Sequence, residues 1–212
     1  MNLKSVVFQN LFLFFIIITF FSSCQKIPFS FSKVDINHVL LDSTLNIRAL
    51  EINGNKVYNA TSKGEIYSFD ITKPDLINVE QYNSELDSVL YPNFRSMSIV
   101  NRNIFTITIG NPALLFKNGK VVYREVNKNV FYDSMDFWNE NEGLVVGDFV
   151  NGCISVLITR DGGDTWKKLD CSNFDNPLPE EGFFAASDTN ISIVDNRVWV
   201  ASGGINSRIY YS

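Results

Sequence analysis

Histidine is the residue that most often carries acid–base catalysis and metal binding, and this chain has one, His38. A Ser-His-Asp set would have to use His38, which lies in a Pro- and Ser-containing stretch near the N-terminus. The chain has no Cys-x-x-Cys motif and no Gly-x-Gly-x-x-Gly motif after a strand. We therefore assign no catalytic residue and expect no cofactor.

Carboxylates that could bind calcium occur in two acidic groups, one at Asp133, Asp136 and Asp148 and the other at Asp161 and Asp164. Calcium takes six to eight oxygen ligands, which short loops such as Asp-x-Asp-x-Asp-Gly supply. No such loop is present. Calcium stays an alternative at these acidic groups, but we predict no metal site.

The first residues indicate export. Lys4 precedes the apolar run Leu11–Phe21, and Ser22-Ser23-Cys24 follows. A basic start, a short apolar core and small residues are typical of a secretory signal, and a cysteine at the cleavage point resembles a bacterial lipoprotein signal. Residues 1–23 are then the signal peptide, Cys24 is the lipidation site, and residues 24–45 are a tether.

The lipoprotein interpretation has two rivals. Phe21 is bulky where the lipoprotein pattern prefers Leu, which leaves ordinary cleavage as an alternative. A membrane-spanning helix needs roughly 20 apolar residues, more than the run provides. We expect an exported protein of the bacterial cell envelope, anchored to a membrane by lipid and facing the periplasm or the cell surface.

Charge argues against nucleic acid as a partner. The chain has 18 basic and 23 acidic residues, and removing residues 1–23 removes only one charge, that of Lys4. Phosphate binding needs a concentrated basic surface, which an acidic chain of this kind does not indicate.

Internal repeats predict the fold. Units open at Ile47, Phe94 and Tyr132, and a fourth begins near Phe183. The segment 55–61 matches 196–202. Each unit alternates apolar and polar residues with period two and is broken by polar or Gly-rich turns, as strands are. Units of about 40 to 50 residues with four short strands are propeller blades. We predict an all-β propeller of about four blades over residues 46–212.

Two cysteines beyond Cys24 are placed to pair. Cys153 and Cys171 each lie nine residues from Gly162, the centre of a predicted hairpin, so they should face each other on adjacent strands. Exported proteins form disulfides readily. Two buried free thiols are the alternative.

The segment 159–166 fits the pattern Ser/Thr-x-Asp-x-Gly-x-Thr-Trp and resembles the Asp-box of bacterial neuraminidase repeats. Its fixed positions are Thr159, Asp161, Gly163, Thr165 and Trp166. The aspartate can accept hydrogen bonds from the turn, the glycine can take a positive φ, and the indole can pack on the blade. The motif is specific for a propeller hairpin, so we interpret its role as structural.

The order of the segments between Phe94 and Gly204, with the Asp-box among them, resembles bacterial exported propellers with YVTN/BNR-like repeats. These are related to the photosystem II stability and assembly factor family and are often labelled oxidoreductases. The resemblance implies a binding or assembly scaffold and carries no agreed catalytic residues. Such propellers often have seven blades, and Ser212 stands where a second Asp-box would begin. We therefore expect this chain to be a fragment of a larger propeller.

The leading functional hypothesis is a lipid-anchored, non-enzymatic scaffold that binds an unknown protein or envelope component. Arg48, Arg95 and Asp133 fall at equivalent positions of successive units and form the candidate binding rim. Ion pairing within a blade, or solvated charge, is the alternative role for these side chains.

A sialidase-like glycoside hydrolase, or a glycan-binding propeller, is the alternative function, because sialidases also carry Asp-boxes. Their chemistry needs a tyrosine nucleophile with a glutamate partner, and Tyr123 with Glu125 is one such combination. The arginine of these enzymes normally lies in Phe-Arg-Ile-Pro, whereas Phe94-Arg95 is followed here by Ser96-Met97.

Overall fold

The structure is a computed structural model that describes residues 30–84, 91–183 and 189–212. The predicted signal peptide and Cys24 lie outside the described residues. The chain divides into two units, residues 1–38 and residues 39–212. The described part of the first unit, residues 30–38, has no helix or strand. Over the described ranges, no helix has the length and apolar character needed to cross a bilayer.

The described strands of the second unit form five sheets: four that follow one another along the chain as blades, and one small two-stranded pair. Blade 1 contains β1 (Ile47–Asn53), β2 (Lys56–Thr61), β3 (Glu65–Asp70) and β4 (Lys73–Gln81). Blade 2 contains β5 (Phe94–Val100), β6 (Asn103–Thr108), β7 (Ala113–Lys117) and β8 (Lys120–Glu125). Blade 3 contains β9 (Tyr132–Phe137), β10 (Gly143–Val150), β11 (Cys153–Thr159) and β12 (Lys167–Lys168). Blade 4 contains β14 (Ile191–Val194), β15 (Arg197–Ala201) and β17 (Ile209–Tyr211), next to a small pair formed by β13 (Glu181–Gly182) and β16 (Gly203–Gly204).

Within each blade the strands pair antiparallel in sequence order. The first strands of successive blades contact one another, β1 with β5, β5 with β9 and β9 with β14, so these are the innermost strands. This arrangement confirms the predicted all-β, partial propeller of about four blades. The fourth blade differs in one detail from the prediction: its first described strand begins at Ile191 rather than near Phe183, and residues 184–188 lie outside the described residues.

Alternation along each strand divides its side chains between the two neighbouring blades. In β7, Leu114 and Phe116 pack in one core with blade 1, while Ala113 and Leu115 pack in another with blade 3. A strand in the middle of a propeller is buried on both faces, which explains why β7 is apolar almost throughout. A third apolar core joins blade 3 to blade 4; its buried members are Leu144, Val146, Ile154, Val156, Phe183, Val198 and Val200.

Candidate functional site

The three predicted rim residues occupy the same structural position, a β-bulge in the innermost strand of their blade. The pairing of β1 with β2 skips Arg48, the pairing of β5 with β6 skips Arg95, and the pairing of β9 with β10 skips Asp133. A bulge leaves one extra residue outside the ladder and redirects its side chain, and bulges are enriched next to functional sites. The structure therefore brings Arg48, Arg95 and Asp133 to equivalent places on successive blades.

Arg95 is a largely buried cation of this rim. Its Nη2 lies 3.7 Å from Oδ1 of Asp133, and the exposed fractions of the two side chains are 14% and 1%. Its guanidinium carbon lies 5.6 Å from the centre of the Phe131 ring. The pair therefore joins blade 2 to blade 3 and does not form within one blade. Among the described residues, Arg95 Nε has no hydrogen-bond partner although it is buried.

Asp148, on β10, adds a second carboxylate near Arg95. Burial raises its pKa, and a hydrogen bond from the Phe183 amide to its Oδ1, at 2.8 Å, and the charge of Arg95 oppose that shift. The guanidinium of Arg95 thus lies in the field of two acidic groups without a short hydrogen bond to Asp133. Arg95 Nε is therefore available to donate a hydrogen bond to a further acceptor. Such a bond is strongest when the acceptor is ionised, because the donor is charged.

Arg48 makes the corresponding contact one blade earlier. Its Nη1 donates a hydrogen bond of 3.0 Å to Oδ1 of Asn93, the residue directly before β5. Phe131, which contacts Arg95, is likewise the residue directly before β9. In both cases the residue that precedes an inner strand contacts the rim residue of the preceding blade. Sequence reasoning missed Asn93 and Phe131, although aligning the units by their first residue would have placed them beside the rim.

Two further, half-buried carboxylates lie on the inner strands. Burial raises the pKa of Glu51 on β1, and the nearby charge of Asp136 raises it further. Burial also raises the pKa of Asp136 on β9, although a hydrogen bond from the Phe137 amide lowers it. Over the described ranges, no three or more His, Cys, Asp or Glu side chains are arranged to hold a metal ion.

The side chains of the Thr159–Trp166 turn form hydrogen bonds within the turn itself. Asp161 accepts hydrogen bonds from the Thr165 amide at 3.0 Å and from the Thr165 and Thr159 hydroxyls at 2.6 and 2.9 Å. These bonds, chiefly those from Thr165, lower the pKa of Asp161 to about 2. The Gly163 amide donates to Oγ1 of Thr159 at 2.9 Å, and Trp166 Nε1 donates to the Gly163 carbonyl at 3.2 Å. Every fixed position of the motif thus serves the turn.

The same turn packs against blade 2. Gly163 has a φ of +79°, and a Cβ there would collide with the ring of Phe105. The Trp166 side chain is buried and makes edge contacts with Phe105 and Phe137. Lys117, at the end of β7, donates to the Gly162 carbonyl at 2.8 Å. The turn is therefore a joint between blades 2 and 3.

The structure joins Cys153 and Cys171 by a disulfide, with Cα atoms 5.4 Å apart. The predicted placement on facing strands is wrong, because β12 ends at Lys168 and Cys171 begins a 3₁₀ turn, Cys171–Asn173. The β11–β12 ladder is also shifted by one residue from symmetry about Gly162, since Leu157 pairs with Lys168. Oδ1 of Asp170 accepts a hydrogen bond from the Ser172 amide at 2.9 Å, which turns the chain out of the ladder.

Tyr123 and Glu125, the residues considered for sialidase chemistry, meet in a cluster between blades 2 and 3, the Glu125 cluster. Glu125 accepts hydrogen bonds from Tyr123 at 2.9 Å, Tyr132 at 2.7 Å and Lys168 at 2.7 Å. Burial, above all, raises the pKa of Tyr123 to about 12 and also raises that of Tyr132. A tyrosine nucleophile needs a stabilised phenolate, so this environment works against the chemistry. The cation of the cluster is a lysine, whereas sialidase chemistry requires arginines.

A second buried carboxylate went unrecognised in the sequence because it lies in the acidic, proline-bearing stretch that indicates a loop. Glu181 accepts hydrogen bonds from Arg208 Nη2 at 2.6 Å, Ser202 at 2.5 Å and Tyr210 at 3.0 Å. Burial raises its pKa, but the bonds from Arg208 and the other donors lower it to about 2. This carboxylate attaches the segment before blade 4 to that blade.

These features define a β-propeller whose inner strands carry bulged, charged residues. No protein-family model matches the chain, and no curated protein matches it. Among solved structures, U3-55K superposes with a TM-score of 0.52 at 8% identity, over 81% of this chain and 53% of that one. YCF48 bound to D1 peptide gives 0.48 at 12% identity, over 74% and 48%. The computationally designed Ika4 protein gives 0.47 at 17% identity, over 78% and 91%. The chain thus spans about half the length of U3-55K and YCF48, and the likeness to U3-55K shows the fold alone.

Proposed function

We propose that this chain is a lipid-anchored, exported propeller that binds a protein or envelope component at its inner rim without catalysing a reaction. The observation that carries the proposal is Arg95. A bulge places this side chain on the innermost strand, and its buried Nε has no hydrogen-bond partner among the described residues. Leaving a buried donor unpaired is costly, so such a donor is a natural contact for an acceptor that a partner brings.

The rim favours a partner with an acceptor group, such as a carboxylate. Arg48 and Arg95 present planar guanidinium groups on neighbouring blades, and such groups bind carboxylates in bidentate fashion. Asp133 and Asp148 keep Arg95 in place and limit the net positive charge of the site. The partner would therefore be selected by a local hydrogen-bonding match rather than by a broad charge attraction.

Crosslinking in intact envelopes tests the rim with Arg95→Lys. Lysine keeps a positive charge near Asp133 but removes the fork and the Nε donor. We expect wild-type protein to capture a reproducible partner and the variant to capture at least about tenfold less. Arg124→Lys, at an exposed position on β8, is the matched control and should capture as much as wild type. Equal capture by Arg95→Lys, or no reproducible partner for wild type, would contradict the proposal.

The anchor is tested separately by Cys24→Ser. A single acyl-modified cysteine at the mature N-terminus would hold the chain on the membrane through its lipid chains. We expect the substitution to move the protein from the membrane fraction to the soluble fraction. Unchanged membrane association would contradict lipid anchoring without bearing on the rim.

A further inference from the structure

One backbone contact recurs in all four blades that the structure describes. The residue directly before the first strand of the blade accepts, through its carbonyl oxygen, a hydrogen bond of 2.8 to 3.0 Å from an amide of the second strand or of the residue after it. The four accepting residues are Asn46, Asn93, Phe131 and Asn190. They are therefore structurally equivalent, and their side chains can be compared directly.

Phe131 is the exception among these four residues, because the other three are asparagines. The side chain of Asn93 accepts a hydrogen bond of 3.0 Å from Nη1 of Arg48, the rim residue of the preceding blade. Phe131 instead contacts Arg95 through its ring, whose centre lies 5.6 Å from the guanidinium carbon. The face of an aromatic ring attracts a guanidinium through its π-electrons, and a phenyl group carries no oxygen or nitrogen acceptor. Asn93 therefore engages one N–H group of Arg48, whereas Phe131 holds Arg95 without engaging any.

The backbone around Phe131 fixes the place of its ring. Asp148, which the pairing of β10 with β11 skips, donates its amide to the Phe131 carbonyl oxygen at 2.8 Å. A Cβ at Gly147 would collide with the same oxygen, so the two segments can approach this closely only because residue 147 is a glycine. The ring thus extends from a fixed position directly before β9.

We propose that Phe131 is the positioning residue that makes Arg95, rather than Arg48, the place on the rim where a carboxylate binds. This inference rests on the proposed binding function of the rim. The ring restrains the guanidinium of Arg95 and leaves its buried Nε with no hydrogen-bond partner in the described part of the chain. A carboxylate gains most from a guanidinium that is already oriented and still has donors to offer.

Titration with acetate tests the site without requiring the natural partner. The full chain, labelled with a nitrogen isotope at arginine and purified in detergent, gives one Nε–H nuclear magnetic resonance signal for each arginine, and Arg95→Lys and Arg48→Lys assign two of them. We expect acetate to shift the Arg95 signal at a concentration about fivefold lower than it needs for Arg48. Arg124, exposed on β8, is the control in the same spectrum and should respond no more readily than Arg48.

Three substitutions of Phe131 separate the effect of the ring from that of packing. Phe131→Leu keeps an apolar side chain but removes the ring, so Arg95 should need about fivefold more acetate than in wild type. Phe131→Asn installs the acceptor that blade 2 carries and should weaken binding at least as much. Phe131→Tyr keeps the ring and should bind acetate as wild type does. Urea denaturation of each variant checks that it is folded.

Wild-type acetate affinity at Arg95 in the folded Phe131→Leu variant would overturn the proposal. So would a wild-type spectrum in which Arg95 does not respond before Arg48 and Arg124, or equal weakening by Phe131→Leu and Phe131→Tyr, which would assign Phe131 a packing role alone. These outcomes are distinct from failure of the proposed function, which appears as the absence of a captured partner in envelopes and does not alter the titration.

Discussion

Blades 2 and 3 are joined by two charged contacts that differ in how completely they are satisfied. At the rim, Arg95 and Asp133 are 3.7 Å apart, and Arg95 Nε has no partner among the described residues. In the Glu125 cluster, whose carboxylate and Lys168 lie on the outermost strands of their blades, the three hydrogen bonds to Glu125 measure 2.7 to 2.9 Å.

This difference suits the Glu125 cluster to stabilising the fold and leaves Arg95 able to bind a partner. A carboxylate that already accepts three hydrogen bonds gains little from a partner, and removing it leaves several donors unsatisfied. A guanidinium held by a long ion pair and an aromatic ring can still accept a ligand. The two contacts should therefore respond in opposite ways to mutation, one in stability and the other in partner binding.

The largest loss of stability is expected on removing the Cys153–Cys171 disulfide of blade 3. Replacing both Cys153 and Cys171 by Ser opens a loop with a sequence separation of 18 residues, which should cost about 3 kcal/mol of unfolding free energy. Urea denaturation of the oxidised wild type and the double variant measures the loss. Partner capture in envelopes should not change, because neither residue touches the rim.

Alkylation without prior reduction should leave both cysteines unmodified, and reduction before alkylation should make both reactive. Labelling of both thiols without reductant would contradict the disulfide.

Glu125→Ala should have the next largest effect, a loss of about 2 kcal/mol in the free energy of unfolding. Lys168 is partly exposed and can turn to water, but the buried hydroxyl of Tyr132 loses its acceptor. Glu142→Ala is the matched control, because Glu142 forms an exposed ion pair with Arg160 on the same blade and should change stability by under about 1 kcal/mol. Equal losses in the two variants would show that the Glu125 cluster is no more important than a surface pair.

Sequence reasoning succeeded where the determinants are local or periodic. The spacing between Leu50 and Met97, and between Tyr58 and Trp199, follows the repeat, so the blades could be predicted from one chain. The Thr159–Trp166 turn was equally accessible, because the hydrogen bonds among its fixed positions all lie within eight residues.

The remaining features depend on pairing that a single sequence does not contain. Whether Arg95 is a bulge follows from the register of β5 against β6, and a one-residue slip would change it. Glu125 and Lys168 are 43 residues apart, and their meeting requires blades 2 and 3 to pack. Cys171 is an exception, since a local turn at Asp170 displaced it from the strand position that symmetry predicted.

The smallest effect concerns pH and separates the two contacts by sign. Burial raises the pKa of Glu125, but bonds from Lys168 and the two tyrosines outweigh it, so the pKa lies below the ordinary value of 4.5. Its stabilisation is present above pH 4.5 and is lost as pH falls through the folded-state pKa. The pKa of Asp148 is raised above 3.8 by burial, so its favourable contribution exists below 3.8 and is lost as pH rises through the folded-state pKa.

Glu125→Gln should therefore lessen the loss of stability on acidification, whereas Asp148→Asn should increase it, because the second substitution removes a compensating gain. Urea midpoints of the wild type and both variants, measured between about pH 6 and pH 3, give the slopes. The Asn side chain keeps an oxygen that can accept from the Phe183 amide, so the change isolates the charge. Slopes that shift in the same direction for both variants would mean that Asp148 is as fully satisfied as Glu125, and the distinction between a structural contact and an open rim would fail.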